Sequence, residues 1–457
     1  MIRIGLIIFL WITGSIATAS SPNLIIILTD DQGYADVGFN GCKDIPTPHM
    51  DSIAENGVCF REGYVSFPVC GPSRAGLLTG RYQDRFGFTT NPTIDPNNRM
   101  AGLPASEENI AEVLKKVGYR SAIIGKWHMG SHPVNHPLER GFDYFYGFLS
   151  GGHNYFHDQL TLNDLTEVTR PWEWYRTRIM ENHSRVDTDD YLTDELTDAA
   201  IRFIEQQEAR KPFFVYLAYN APHAPLQATE KYLARFSHIE DERRRTYAAM
   251  VSAVDDGVGR LLATLREQEL EENTIVFFLS DNGGPLEKNA SDNGVLRGAK
   301  SDLFEGGIRV PFAMQWKGVI PRGVNYSHPV ISLDIMGTIA ALSGVEIAEE
   351  RPLDGVNLLP YLTGVKKGQP HQRLFWRKWQ QQGMAIRAGN LKLVANTQRN
   401  KNVIECYDLA EDISEIAPLG NSVAAEAAKM KADWNDWNAT LKDCFFPTLM
   451  EDKWWKK

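Results

Sequence analysis

The sequence lacks an excess of positive charge, a second long apolar run, and any internal repeat or low-complexity tract. Its 457 residues carry 48 Lys and Arg against 58 Asp and Glu, a formal net charge of −10. A general nucleic-acid binder normally presents a basic face, so this balance argues against that class. It leaves room for an anionic substrate, because charge local to a cleft can oppose the global sum. Beyond the N-terminus no segment approaches the roughly 18 uninterrupted apolar residues of a membrane span, so no stable membrane anchor is expected. Cysteine is scarce, with five in all. What remains is an ordinary soluble composition, 43% apolar and 23% charged, on a chain long enough for roughly two to three domains.

At the N-terminus Arg3 gives a positive start and Ile4 to Ile12 an apolar stretch broken only by Gly5. Ala17-Thr18-Ala19 then places small residues at an A-x-A cleavage position. The pattern predicts a secretory signal over residues 1–19 and a secreted or periplasmic mature chain starting near Ser20.

Along the chain, short apolar runs lead directly into polar residues. Asn23 to Leu28 precedes Thr29-Asp30-Asp31, and Ser121 to Ile124 precedes Gly125-Lys126-Trp127-His128. Phe213 to Tyr219 precedes Asn220-Ala221-Pro222-His223, and Thr274 to Leu279 precedes Ser280-Asp281-Asn282-Gly283-Gly284. Runs this uniformly apolar fit strands buried on both faces. Between them Glu107 to Val117, Tyr191 to Ile204 and Thr246 to Leu270 repeat apolar residues at helical spacing. Alternating strands and helices predict an α/β sandwich with a mostly parallel sheet. In such sheets ligands bind beyond the carboxyl ends of the strands, where Asp30, Asp31, Lys126, His128, His223, Asp281 and Asn282 would meet.

Pro352 to Thr363 reads as a closing loop with a short helix. Further on, Leu374 to Arg377, Met384 to Arg387 and Leu391 to Val394 read as short strands, followed by a helix around Val423 to Ala439. The predicted division is a catalytic domain over 20–366 and a smaller α+β domain over 367–457.

The pairs Asp30-Asp31 and Asp281-Asn282 offer four oxygen-bearing side chains from two strand ends. One such pair alone more often caps a helix or shapes a turn; two together favour a hard divalent cation, calcium first and magnesium as the alternative. Lys126 can offset the charge of an anionic group, and His128 can hydrogen-bond a nucleophile. His223, between Pro222 and Pro225, is a candidate general acid, and Lys300 a candidate anion anchor. The segments Gly151 to His157 and Pro171 to Arg178 interrupt the α/β pattern with aromatic, His and Arg residues. Loops there would overhang the strand ends, with His153 and Arg178 as candidate substrate contacts.

The most specific stretch is Cys70-Gly71-Pro72-Ser73-Arg74, continued by Ala75 to Gly80. It fits C-x-P-S-R-x-x-L-x-T-G, and with the other elements in order the chain resembles the type I, formylglycine-dependent sulfatases of the alkaline-phosphatase-like superfamily. That resemblance implies a large mixed sheet between helices and a small antiparallel C-terminal domain. It implies that a maturation enzyme converts Cys70 to formylglycine, whose hydrate offers two hydroxyls on one carbon. One attacks the sulfur of a sulfate ester; the other loses its proton and expels the sulfate. It makes Asp30, Asp31, Asp281, Asn282 and residue 70 metal ligands, gives Arg74 the task of steadying the nucleophile, and has Lys126, His128, His223 and Lys300 bind sulfate or move protons. Similar family members act on sulfated sugars, so a sulfated saccharide is the expected substrate.

With Cys70 consumed, four cysteines allow three pairings, Cys406 with Cys444 foremost. Tyr407 to Leu419 departs from the family pattern Y-D-L-x-x-D-P-x-E-x-x-N-L by lacking the proline and the asparagine, which bears on a turn and not on the chemistry. Two alternatives stand beside the sulfatase: a phosphomonoester or phosphonate-ester hydrolase on the same scaffold, and a catalytically silent glycan-binding protein.

Overall fold

The computed structural model describes residues 21–208, 211–378, 383–396 and 403–456. The expected signal segment, residues 1–19, lies outside them. Ten strands form the central sheet, in the order Val324–Tyr326, Val58–Phe60, Phe312–Gln315, Thr274–Ser280, Asn23–Thr29, Phe213–Ala218, Arg120–Lys126, Tyr144–Phe148, Ile179–Glu181 and Ser184–Val186. The five strands from Thr274–Ser280 to Tyr144–Phe148 are mutually parallel. Phe312–Gln315 runs antiparallel to Thr274–Ser280, and the hairpin Ile179–Glu181 and Ser184–Val186 adds to the other edge.

The period-two geometry of a strand explains why the central runs are apolar throughout. On Asn23–Thr29, Ile25 and Ile27 enter one core layer, with the helices Pro48–Glu55, Leu192–Glu205 and Glu242–Glu267. Leu24, Ile26 and Leu28 enter the other, with Cys70–Thr79, Ile110–Lys115 and Asp334–Ser343. Each fully buried aliphatic side chain contributes about 1.5–3 kcal/mol, so both faces of this strand hold the sandwich together. The helix expected from Glu107 begins at Ile110 instead. Asn109 caps it, its side chain accepting from Ala111 N and Glu112 N while Glu112 bonds back in a capping box.

The smaller C-terminal sheet joins Leu374–Lys378, Gly383–Ala388, Leu391–Asn396 and Val403–Asp408, all antiparallel. The helix Ala424–Asn438 covers it through Met430, Trp434 and Trp437. Trp376, fully buried, donates its indole N–H to Val65 O at 2.8 Å and fastens this sheet to the catalytic part. The expected Cys406–Cys444 bridge is absent, and all five cysteines are free. Cys406 lies in the core between sheet and helix, whereas the Cys444 thiol donates to Phe446 O at 3.2 Å and packs against the other core.

Candidate active site

The carboxyl ends of the parallel strands open onto a cleft of about 770 Å³. Register brings the two acidic pairs together: Thr29 and Ser280 are opposed across adjacent strands, so Asp30-Asp31 and Asp281-Asn282 leave the sheet side by side. Asp281 N donates to Thr29 O at 3.0 Å, and Asp31 N to Asp281 Oδ1 at 3.4 Å. Asp31 turns through the left-handed region, φ 64°, as does His128 with φ 57°. Non-glycine residues held there mark backbone that the surrounding structure constrains, often at functional sites.

Cys70 opens the helix Cys70–Thr79, all ten of whose residues are buried. Its sulfur lies 3.5 Å from Asp30 Oδ1 and 3.2 Å from Lys300 Nζ. Burial, with Asp30 and Asp281 adding to it against Lys126 and Lys300, pushes the Cys70 thiol up to about 12. A protonated, buried thiol is a poor nucleophile.

Arg74, one turn further along the helix, is buried with its Nε 2.9 Å from Asp281 Oδ2 and one terminal nitrogen 3.0 Å from Lys126 O. Burial alone would lower its affinity for the proton, but Asp281 and Asp30 keep the guanidinium charged. Lys126 donates to Asp30 Oδ2. Lys300 Nζ is 2.6 Å from Asp31 Oδ1. Burial opposes that ammonium too, yet Asp31 together with Cys70, Asp30 and Asp281 outweighs it and holds Lys300 well above the ordinary lysine range. Burial would likewise raise Asp31, but Lys300 and His223 hold it well below the usual carboxylate range. Asp281 is pushed up to about 6 by burial and Asp30, with Arg74 opposing.

The histidines differ. His223 lines the cleft, its Nδ1 donating to Ala224 O at 2.6 Å and its Nε2 3.6 Å from Asp31 Oδ2. Burial drives it down to about 3, so its Nε2 keeps a lone pair facing the site. His128 is buried with neither ring nitrogen bonded, and burial beside Lys126 and Arg74 keeps it neutral. Gly151 is required beside it, because a Cβ there would meet His128 Nε2 at 2.5 Å.

A divalent cation fits this donor set. Ligand atoms of Asp30, Asp31, Cys70 and His223 lie within 4.8 Å of one another. Asn282 directs its Nδ2 to Asp31 Oδ1 at 2.7 Å while its buried Oδ1 has no partner. An unpaired buried amide oxygen among carboxylates is an electrostatic liability that a cation relieves.

His153 and Arg178 are not brought to the cleft surface. The His153 ring is completely buried, stacked near Phe148 with its nitrogens against Asn154 O and Thr177 O. Arg178 pairs with Asp187 at 3.2 Å. The turn Glu173–Arg176 instead brings Tyr175 and Arg176 to the cleft, with Trp172 exposed beside them and Trp174 buried behind the wall. Trp172 is 51% exposed, at φ 71°. Asn91, which accepts from Gly71 N at 2.9 Å, also lines the cleft and was not singled out by sequence. An asparagine in a polar loop carries no local signal of that role.

A family model described as Sulfatase matches residues 22–345. N-acetylgalactosamine-6-sulfatase of Mus musculus is 37% identical over 383 residues, covering 81% of this chain and 71% of its own. The solved structure of Ps i-CgsB in complex with k-i-k-neocarrahexaose is 38% identical with a TM-score of 0.88, covering 93% of this chain and 94% of the other. PsFucS1 sulfatase from Pseudoalteromonas sp. is 26% identical with a TM-score of 0.77, over 92% and 90% of the two chains.

Proposed function

The chain belongs to the sulfatase family and hydrolyses sulfate esters, and from that premise we propose that it does so on sulfated saccharides through formylglycine at position 70 and a divalent cation. The observation that carries the reading is Cys70 itself, buried at a helix start and touching Asp30 and Lys300. A formylglycine hydrate supplies a hydroxyl to attack sulfur and a second to release the sulfate. Asp30, Asp31, Asp281 and Asn282 would hold the cation, calcium before magnesium, which draws negative charge from oxygens it touches.

The chain's own groups then divide the work. Lys126 and Lys300 oppose the charge of the sulfate oxygens. Neutral His128 accepts a proton from the hydroxyl of residue 70 at a ring nitrogen that nothing else occupies. His223 gains a proton at Nε2 as the negatively charged ester enters the cleft, since a nearby anion favours the imidazolium, and passes that proton to the departing alcohol. Arg74 binds Asp281 and the Lys126 carbonyl and so fixes the position of both. Residues 1–19 direct export, and a maturation enzyme modifies Cys70.

Aldehyde trapping followed by peptide mass analysis of the active protein tests the central point. The Cys70 peptide is expected to carry the aldehyde; a fully active preparation containing only free thiol would overturn the mechanism.

The saccharide reading is supported by the relatives' printed substrates and by the aromatic wall. Trp172 and Tyr175 offer ring faces, and Arg176 a donor bound to Thr161 Oγ1 at 2.7 Å. Trp172→Ala and Arg176→Ala are expected to raise KM for a sulfated saccharide about tenfold while leaving a small aryl sulfate within about twofold. Equal losses on both substrates would remove the wall from saccharide binding.

A further inference from the structure

Lys300 reaches the site from a loop, Arg297–Gly307, that is held from both the larger part of the chain and the C-terminal sheet. Within the larger part, Lys300 N donates to Gly284 O at 3.1 Å and Ser301 N to Pro68 O at 2.8 Å. Gly283 N donates to Gly307 O at 3.1 Å, Asn293 Nδ2 to Gly298 O at 3.1 Å and Tyr64 Oη to Glu305 Oε2 at 2.6 Å. Further ties come from the C-terminal sheet and the segment after it, beyond the matched family model's last residue, 345. Lys378 Nζ donates to Ser301 O, the carbonyl directly after Lys300. Arg297 donates to Tyr407 Oη at 2.9 Å and to Glu415 O at 2.6 Å. Lys392 Nζ sits 2.9 Å from Glu305 Oε1 and 2.8 Å from Glu415 Oε1, and Glu305 N donates to Glu415 Oε2 at 2.6 Å. Lys392, Glu305 and Glu415 are fully buried.

The clamp therefore grips the loop before Lys300, after it, and at the helix Glu305–Ile308 that ends it. Ser301 itself lies in the left-handed region with φ 78°, a conformation that costs an ordinary residue of order 1 kcal/mol and needs support. Lys378 is buried and gives its ammonium to that peptide carbonyl; burial draws it down to about 8, with the Asp302 carboxylate opposing. A desolvated ammonium is an expensive way to brace a loop, since a neutral donor would bond a carbonyl at less cost. A charge-assisted bond is also the stronger restraint.

We propose that Lys378 and Lys392 are positioning residues for the reaction: the C-terminal domain holds the Arg297–Gly307 loop so that Lys300 Nζ stays beside residue 70 and Asp31. The clamp acts through Lys300 and contacts neither substrate nor reacting atoms. It rests on the reading of Lys300 as a sulfate-binding group.

A double-mutant cycle separates positioning from general stability. Lys378→Met and Lys392→Met are made in the full-length protein, singly and in a Lys300→Ala background, and kcat/KM is measured on an aryl sulfate with thermal unfolding alongside. Each single substitution is expected to lower kcat/KM about tenfold, mostly in kcat. In the Lys300→Ala background the same substitution is expected to change it less than about twofold. Lys378→Arg, which keeps a charged donor, is expected to recover most of the loss.

Equal fold-losses in both backgrounds would reduce the clamp to ordinary structural support and overturn the inference. A Lys300→Ala enzyme with unimpaired turnover would overturn the reading of Lys300 itself, and the clamp with it. Lys392→Met takes the cation from buried Glu415 and one of the cations from Glu305, which keeps Arg309, and can fail to fold. Lys378→Met uncovers a neutral carbonyl and removes a charge near Asp302 without leaving a fully buried carboxylate unpaired, and decides the matter by itself.

Discussion

Replacing Cys70 with Ala is expected to lower aryl sulfate turnover by at least about 10⁴-fold, the scale of losing a covalent nucleophile. The fold should survive. The change deletes one buried sulfur at the first position of a helix, where Ala is well tolerated, and costs less than about 2 kcal/mol. Cys70→Ser is the sharper variant, because serine brings one hydroxyl where the hydrated aldehyde brings two. Its oxygen can attack sulfur and let the alcohol leave, but it has no second hydroxyl with which to expel the sulfate. A single turnover per chain followed by arrest is therefore expected in a stopped-flow or quench measurement. Steady turnover by Cys70→Ser at a rate near wild type would show that the second hydroxyl is not needed. Circular dichroism and thermal unfolding of both variants exclude loss of structure as the cause.

The candidate site is legible in sequence because its residues sit where strand ends must put them. An apolar run ending in Asp30-Asp31 or Asp281-Asn282 announces both a buried strand and the residue that leaves it, and parallel pairing of those strands does the rest. Cys70 was legible for another reason: its neighbours form a pattern too particular to arise from helix-start preferences alone. The substrate wall was not. Between Phe148 and Ile179 the chain follows neither strand nor helix periodicity. Nothing local says that Trp172 faces out and Trp174 in, or that Arg176 rather than Arg178 reaches the cleft. That choice is made by distant packing, with Trp174 set among Leu165, Trp454 and Trp455 from the far end of the chain.

The C-terminal sheet repeats the lesson. Three of its four strands are expected from their turns, whereas Val403–Asp408 is not, and only its last two residues, Tyr407 and Asp408, fall in the family motif. No pattern in Leu374–Lys378 ties Lys378 to Ser301. Such a tie between residues remote in sequence, a side chain on a backbone carbonyl, leaves no trace in composition or period.

Removing a carboxylate from the metal site is expected to have the second largest effect. Asp281→Ala should reduce bound cation from near one per chain to a minor fraction and cut kcat/KM by on the order of 10³-fold. The direction follows from the proposed donor set, in which Asp281 would be one of three carboxylate ligands, and the cation prefers oxygen. Its loss also leaves Arg74 without its main partner in a fully buried site, which alone costs about 3–5 kcal/mol. Lower activity could then reflect a weakened fold and not a lost ligand.

Asn282→Ala resolves this, since it deletes the unpartnered amide oxygen and changes no charge. Elemental analysis of Asn282→Ala should show weakened retention of calcium, less so of magnesium, on dialysis, with thermal unfolding in the presence of chelator close to wild type under the same conditions. Full cation retention by Asn282→Ala would remove that oxygen from the ligand set. For the wild type, chelation should abolish turnover and calcium should restore it. Restoration by zinc or iron alone would mean that the tightly held metal is not the hard, oxygen-loving ion for which three aspartates and an asparagine are the natural cage.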